Sequence, residues 1–126
     1  MRAVDTNVVV RVIVRDDLNQ TTSAESFIPG GAWISLLALA EAIWVLGRVY
    51  RLNANELVAA IEMLLNHRDF ILQDAETVTA ALDLFRERPG LGFSDCLILS
   101  IARQAGHLPL GTFDRYLARV EGVQKL

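Results

Sequence analysis

The sequence alternates short apolar segments with segments of helical periodicity, and this alternation constrains the fold more than any other feature. The first apolar segment runs into Asp5, and further strand-like segments lie at 32–34, 70–72, 108–112 and 123–126. Between them, apolar residues recur at the spacing of amphipathic helices. Strands separated by helices pair in parallel through right-handed crossovers, with helices on both faces of the sheet. The sequence therefore predicts an α/β fold, a three-layer α/β/α sandwich around a mostly parallel sheet of four or five strands.

Capping and helix-breaking residues set the expected bounds of the helices. The first helix is expected over 7–14, with Asp16 and Asp17 as loop charge after it. Thr22 and Glu25 have the spacing of a capping box, which predicts that the second helix opens at Thr22. The helices are expected to begin and end at these pairs of residues: Thr22 and Pro29, Ser35 and Tyr50, Asn53 and Asn66, Asp74 and Pro89, and Ser94 and Gly106.

Length and composition favour one globular domain. The chain has 126 residues, of which 52% are hydrophobic, and no linker divides it, so we expect one domain over 1–126. A single cysteine, Cys96, and the absence of a cleavable export signal predict a cytoplasmic protein. The apolar stretch 32–47 contains Glu41 and is shorter than the roughly 20 residues of a bilayer helix, so no membrane span is expected. The net charge is −3, so the molecule as a whole does not attract polyanions, and any nucleic-acid binding must come from local features.

Four isolated carboxylates are the candidate functional groups. Asp5 and Asp114 follow strand-like segments, Asp95 lies at the start of an apolar helix, and Glu41 lies within another. We expect Asp5 in the crevice at the carboxyl ends of the strands, where open α/β sheets bind ligands. Glu41 is expected on a buried or half-buried helix face. A buried carboxylate without a partner costs several kcal/mol, so a compensating group is required.

Capping alone explains some of these acids. Asp5, Asp95 and Asp114 each stand where a helix begins, and an N-terminal acid stabilises a helix by roughly 0.5–2 kcal/mol. Glu41 lies too deep in its helix to cap it and has no cation three or four residues away. If the four converge, two charges at 4 Å repel by about 4 kcal/mol at an effective dielectric near 20. Such a cluster either holds protons at raised pKa values or binds a hard cation, Mg²⁺ or Mn²⁺, which points to phosphodiester chemistry.

Four short motifs resemble those of the PIN-domain ribonucleases, and within them the VapC-type toxins of prokaryotic toxin–antitoxin pairs. The motifs are Asp-Thr-Asn at 5–7, Glu41 followed by Trp44-Val45-Leu46, Phe93-Ser94-Asp95, and Thr112-Phe113-Asp114-Arg115. They occur in the family's order and spacing, and the resemblance covers nearly the whole chain. Cys96 stands where the family more often has alanine, which leaves the acidic residues intact.

The resemblance implies a function and a set of site residues. The family's acidic quartet corresponds to Asp5, Glu41, Asp95 and Asp114, with Thr6, Asn7 and Thr112 as supporting groups. It implies a PIN-like fold and a Mg²⁺- or Mn²⁺-dependent endoribonuclease that acts as the toxin of a toxin–antitoxin pair. The implied partners are an RNA substrate, a cognate antitoxin that blocks the acidic crevice, and a second copy of the chain in a homodimer.

Other polar residues carry less functional weight. Arg11, Arg15 and Arg115 lie close in sequence to Asp5 or Asp114 and can receive RNA phosphates, although a solvated helix face explains each of them singly. Cys96 is expected to be a small core residue. The two histidines, His67 and His107, are expected to be surface or capping groups, and Trp33 and Trp44 are expected in the core.

Three other functions compete with the toxin hypothesis. A phospho-receiver domain has this size and an acidic magnesium pocket, but it needs a second acid beside Asp5 and an internal lysine, and the only lysine is Lys125. A PIN-like fold can serve as a non-catalytic protein-interaction module. The same chemistry can also act on single-stranded DNA or on structured RNA during RNA processing, outside a toxin–antitoxin system.

Overall fold

The strands of the protein form two hydrogen-bonded sheets in a computed structural model that describes residues 1–126. Contacts divide the chain into two units, Met1–Ala75 and Glu76–Leu126. The elements of the first unit are β1 (Arg2–Val4), α1 (Thr6–Val14), α2 (Leu18–Phe27), β2 (Ala32–Ile34), α3 (Leu36–Arg48), α4 (Ala54–Asn66) and β3 (Phe70–Leu72). Those that follow are α5 (Ala75–Glu87), α6 (Phe93–Ala105), β4 (Leu110–Thr112), a 3-10 turn (Leu117–Arg119) and β5 (Val123–Lys125).

Every strand pairing is parallel, so the predicted α/β fold with parallel strands is confirmed. The first unit carries a three-stranded sheet in the order β1-β2-β3, with Val4 opposite Ile34 and Ile34 opposite Leu72. In the second unit β4 pairs with β5, and Leu110 lies opposite Val123. The five strands thus form sheets of three and two strands and not the single hydrogen-bonded sheet that was expected. Each strand has only three residues, so strand pairing contributes few hydrogen bonds and helix packing supplies most of the core.

The first unit has its core where the helices cover the sheet. Ile34, Leu39, Leu46, Ile61 and Leu64 are almost fully buried. Burial of such side chains contributes about 1.5–3 kcal/mol each. The helix α1 packs against both α2 and α3, and this places the start of α1, directly after β1, beside the middle of α3.

The second unit is held by the apolar faces of α5 and α6. Phe85 of α5 meets Phe93 of α6 edge to face, with ring centroids 5.9 Å apart and an interplanar angle of 72°. Such a pair contributes about 0.5–1.5 kcal/mol beyond the area that it buries. Val78, Cys96 and Leu99 are fully buried. The first turn of α6 is thereby fixed on the core.

The caps of α3, α4 and α6 confirm the predicted bounds to within two residues. Ser35 accepts a hydrogen bond from the backbone N–H of Ala38 at the start of α3. Asn53 and Glu56 form the reciprocal bonds of a capping box. Gly106 ends α6 in the left-handed conformation, with a φ of 79°. Local sequence chemistry therefore determines these helix ends.

The start of α2 was predicted wrongly. The helix begins at Leu18, four residues before Thr22, and its N-cap is Asp17, whose carboxylate accepts a hydrogen bond from the backbone N–H of Gln20 at 3.0 Å. Asp17 is thus a cap and not loop charge, and Thr22 lies inside the helix. The apolar residues of α2 have little helical periodicity, so no sequence pattern favours the earlier of the two possible caps.

Trp44 was also predicted wrongly, because it is 59% exposed and does not lie in the core. On α3 the residues Leu37, Glu41 and Trp44 form an exposed stripe, while Ile43 and Leu46 are buried. The helix is apolar on most of its circumference, so periodicity alone could not tell its buried face from its exposed one. Trp33 is half-buried.

None of the helices has the length and apolar character required to cross a bilayer.

Candidate carboxylate site

Asp5 connects β1 to α1. Its backbone is extended, and its Oδ1 accepts a hydrogen bond from the backbone N–H of Val8 at 3.2 Å, so the residue is the N-cap of α1. The position directly after a strand is the one that was predicted. The side chain is exposed, however, which corrects the expectation of a buried carboxylate. Capping uses one carboxylate oxygen and leaves Oδ2 available to a ligand.

Glu41 is held by the residue that follows Asp5 in the chain. Its Oε2 accepts a hydrogen bond from Thr6 Oγ1 at 3.0 Å, across 35 residues of sequence. The contact exists because α1 packs on α3. Glu41 is exposed, so the predicted buried or half-buried face is wrong: this side of α3 faces away from the core of its unit. Thr6 therefore fixes Glu41 beside the start of α1, where Asp5 lies.

Asp95 lies in the first turn of α6. The N-cap of that helix is Gly92, which offers no side-chain hydrogen bond, and Asp95 is half-buried. Burial raises the pKa of the Asp95 carboxyl, and the nearby negative charge of Asp114 raises it further. The two acids of the second unit are thus close enough to repel each other.

Asp114 is held in a tight turn after β4. Its Oδ1 accepts hydrogen bonds from the backbone N–H groups of Tyr116 at 2.8 Å and Leu117 at 2.9 Å. Its own backbone N–H donates to Thr112 Oγ1 at 3.0 Å. Thr112 thereby orients the backbone at Asp114. As at Asp5, one oxygen is used by the backbone and the other is exposed to solvent.

No arginine, lysine or histidine forms a salt bridge with any of the four carboxylates, although other acids of the chain have such partners. Asp16 pairs with Arg11, Glu25 pairs with Arg15, and Asp83 pairs with Arg86. Each unit contributes two of the four acids. Within neither unit do three or more His, Cys, Asp or Glu side chains form a group that could hold a metal ion.

The donor chemistry fits a hard divalent cation. All four candidate side chains offer carboxylate oxygens, which suit Mg²⁺ and Mn²⁺ better than zinc. Proteins commonly hold Mg²⁺ through one or two carboxylates, with waters and substrate phosphates completing the octahedron. Asp5 with Glu41, or Asp95 with Asp114, each supplies that number of ligands. Burial, and then the negative charge of Asp114, raise the pKa of the Asp95 carboxyl, and a cation bound there would act in the opposite direction.

The three candidate RNA-binding arginines differ in how they are engaged. Arg11 donates to Gln20 Oε1 at 2.6 Å and to the Tyr50 hydroxyl at 2.8 Å, and it also pairs with Asp16. Arg15 pairs with Glu25. Arg115 is exposed and has no ion-pair partner, so it is the most accessible of the three to a phosphate.

Cys96 and His67 lie in surroundings that indicate structural roles and not catalytic ones. Burial, and then the charge of Asp95, raise the pKa of the Cys96 thiol to about 11, so the residue stays protonated at neutral pH and is no nucleophile. His67 follows α4, accepts a hydrogen bond from the backbone N–H of Asp69 at 3.0 Å, and packs its ring on Phe70.

Polar residues of α2 lie near Asp5 and were missed by the sequence analysis. Asn19, Gln20 and Ser23 line a cleft whose opposite wall contains Asp5 and Asn7. The signal was present as a polar stripe at positions 19, 20 and 23. It was overlooked because the helix was expected to open only at Thr22.

Comparison with known protein families identifies the family of the chain. A family model described as PIN domain matches residues 2–123, which is nearly the whole chain and extends over both units. A search of curated proteins finds no match.

Proposed function

The chain belongs to the PIN-domain family, and from that premise we propose that it is a divalent-metal-dependent endoribonuclease. The PIN domain is a nuclease-type fold, and its members are generally hydrolases that use divalent metals. The observation that carries the proposal is that none of four carboxylates has a cationic partner within the protein, namely Asp5, Glu41, Asp95 and Asp114. Their order and spacing match the family's acidic residues.

The chain's own residues have distinct roles in this proposal. Asp5 and Glu41 would hold the metal ion through carboxylate oxygens, and Thr6 orients Glu41 through its hydrogen bond. Thr112 and the backbone of the turn after β4 orient Asp114. A bound Mg²⁺ or Mn²⁺ would lower the pKa of a coordinated water and would neutralise charge on the phosphate. Burial, and then the charge of Asp114, raise the pKa of the Asp95 carboxyl, which favours Asp95 as the acid that takes a proton from the attacking water.

We further propose that the enzyme is the toxin of a toxin–antitoxin pair, works in the cytoplasm and forms a homodimer. The motif at 5–7 and those that contain Asp95 and Asp114 support the toxin assignment through their resemblance to VapC-type sequences. Large exposed side chains, including Trp44 and Phe113 at 59% and 79% exposure, support binding to protein partners such as an antitoxin or a second copy.

Cleavage and metal binding by acid-to-amide variants test the proposed chemistry. We expect the purified protein to cleave single-stranded RNA with Mn²⁺ or Mg²⁺ and to lose cleavage when the metal is removed by chelation. The variants Asp5→Asn and Asp95→Asn should lose at least about 100-fold in cleavage, because a ligand is removed without a change of shape. Calorimetric titration with Mn²⁺ should show weaker binding in both.

A matched control separates loss of chemistry from loss of structure. Asp83 lies on α5, is exposed and pairs with Arg86, so Asp83→Asn removes a carboxylate outside the candidate site. This variant should cleave as the parent does, and all three variants should keep the parental circular dichroism. Parental cleavage by Asp5→Asn and Asp95→Asn would show that the assignment is wrong. Cleavage of single-stranded DNA but not of RNA would show that the substrate is DNA. Metal binding without cleavage would indicate an interaction module.

A further inference from the structure

A cleft between α1 and α2 adjoins the candidate site through Asp5, and most of its lining residues have no role in the chemistry described above. It has a volume of about 610 Å³, within the roughly 300–1,000 Å³ typical of small-molecule sites. Its walls carry the polar side chains of Asp5, Asn7, Arg11, Asn19, Gln20 and Ser23. Val8, Ala24 and Phe27 supply its apolar surface. The cleft lies entirely within the first unit.

Three polar side chains in this cleft have no hydrogen-bond partner within the protein, namely Asn7, Asn19 and Ser23. Gln20 is different, because its Oε1 accepts a hydrogen bond from Arg11 Nε at 2.6 Å. That bond fixes the amide so that its nitrogen, which carries two donors, is left for a ligand. Arg11 is itself held by Asp16 and by the Tyr50 hydroxyl. The Gln20 donors are therefore pre-oriented.

The mixture of amides and apolar surface matches the chemistry of a nucleobase. Bases of single-stranded RNA are recognised by hydrogen bonds to their edges together with contacts to their faces, and carboxamides can make two such bonds to one base. Phe27 forms part of the cleft wall, but the face of its ring is not free for a base to stack on. The Arg2 guanidinium already lies over that face, 3.9 Å from the ring centroid. Recognition in this cleft would therefore rest on the amides and the hydroxyl of α1 and α2.

We propose that the α1–α2 cleft is a base-binding subsite for one unpaired nucleotide of the RNA substrate, and this inference rests on the proposed function. Asp5 lies in the wall of the cleft and is also one of the proposed metal ligands. An occupant of the cleft would therefore lie next to the carboxylate that would hold the metal ion and, through that ion, the scissile phosphate. The subsite consequently selects a base at a nucleotide adjacent to the cut, and Asn19 and Ser23 determine which base is preferred.

The test is designed so that binding and cleavage are measured separately. Equilibrium binding of four homopolymeric tetranucleotide RNAs is measured in chelator, where no cleavage occurs, for the parent and for Asn19→Ala and Ser23→Ala. Both positions are exposed and lie on a helix, so alanine should not weaken the fold. We expect the parent to favour one base and each variant to lose about 2- to 10-fold in affinity for it, as one hydrogen bond is removed.

The matched control is Thr22→Ala, which lies on the same helix, is exposed and does not line the cleft. It should bind as the parent does.

With metal present, the subsite variants should have a raised KM and a broader base preference at the cut, with kcat unchanged. If the parent shows no base preference, or if the variants keep the parent's preference, the subsite proposal is wrong while the nuclease assignment stands. If base-selective binding is found without metal-dependent cleavage, the nuclease assignment fails and base recognition remains. If the variants lose only binding to a protein partner, the cleft is a protein site and the proposal is wrong.

Discussion

Asp95 carries a charge that the fold does not neutralise. The residue is half-buried, lies in the first turn of α6, and has Asp114 as its nearest electrostatic partner. Burial and that negative charge raise the pKa of Asp95 in the folded state above its value in the unfolded chain. The folded state therefore binds more protons than the unfolded state between the two pKa values. Stability is accordingly lost as pH rises through this interval.

Removal of that charge should stabilise the protein near neutral pH. In metal-free buffer we expect Asp95→Asn to melt at a higher temperature than the parent at pH 7, because the amide has no charge to desolvate or repel. The difference should shrink as pH falls towards the ordinary aspartate value of about 3.9, where the parent is protonated as well. Thermal unfolding followed by circular dichroism from pH 3 to 8 measures both effects. Asp83 is exposed, so Asp83→Asn should show no increase in melting temperature. A lower melting temperature for Asp95→Asn than for the parent at pH 7 would contradict this account.

The same residue illustrates what its local sequence could reveal. Its isolation among apolar residues predicted an acid that is costly to the fold, and the raised pKa agrees with that interpretation. For Asp5 and Glu41 the same argument predicted burial, and both are exposed. Isolation along the chain does not determine exposure, because the neighbours that cover or uncover a side chain come from distant elements.

At the scale of elements, Arg11 ties α1 to α2 and to the segment after α3. Its guanidinium donates to Gln20 on α2 and to the hydroxyl of Tyr50, and it pairs with Asp16 in the loop that precedes α2. The hydrogen bond to Tyr50 is the main reason why the pKa of Arg11 is raised. Tyr50 also donates to Asp16 Oδ2 at 3.2 Å. These contacts fix the mutual arrangement of the helices that form the proposed subsite.

Loss of the Tyr50 hydroxyl should loosen this junction. We expect Tyr50→Phe to lower the free energy of unfolding by about 1–3 kcal/mol, the net value of the two hydrogen bonds that the hydroxyl makes with Arg11 and Asp16. Urea denaturation at equilibrium measures the change. Tyr116→Phe is the matched control, since Tyr116 is 65% exposed and its hydroxyl has no partner in the protein. Equal stability of Tyr50→Phe and the parent would show that the junction contributes nothing.

Helix α2 shows why an element can be recognised while its start is misplaced. Asp17 and Thr22 both have N-cap chemistry, and the sequence of the helix has no clear apolar stripe to choose between them. The structure selects Asp17, and the additional turn contains Asn19 and Gln20. The proposed base-binding subsite therefore became visible only when α2 was seen against α1.

For the whole molecule, the toxin proposal predicts a growth phenotype. Expression of this chain alone in a bacterial host should arrest growth and fragment RNA, and co-expression with the neighbouring open reading frame should relieve both effects, because a bound antitoxin blocks the carboxylates. Asp5→Ala should be harmless without the partner frame, whereas Asp83→Asn should remain toxic. Colony counts and RNA gel profiles provide the measurement. Normal growth and intact RNA on expression of the parent would contradict the toxin role and leave the cleavage assay to decide the chemistry.

The sequence by itself determined the fold class and most of the elements, and it supplied the four acids as candidates. Alternating short apolar segments and amphipathic helices fixed the parallel α/β fold, because side-chain periodicity and helix caps are local properties. The positions of Asp5, Glu41, Asp95 and Asp114 after strands or within apolar helices selected them as candidates, and their motifs resemble those of the family. All of these signals lie within a few residues of the group that they describe.

The tertiary structure alone decided which of these groups are exposed and what they contact. The hydrogen bond from Thr6 to Glu41 spans 35 residues and depends on the packing of α1 on α3. The exposure of Trp44 depends on which face of α3 meets the core. The cleft beside Asp5 depends on how α2 packs against α1. Each is set by packing between elements that are distant in sequence, and local periodicity carries no information about that packing.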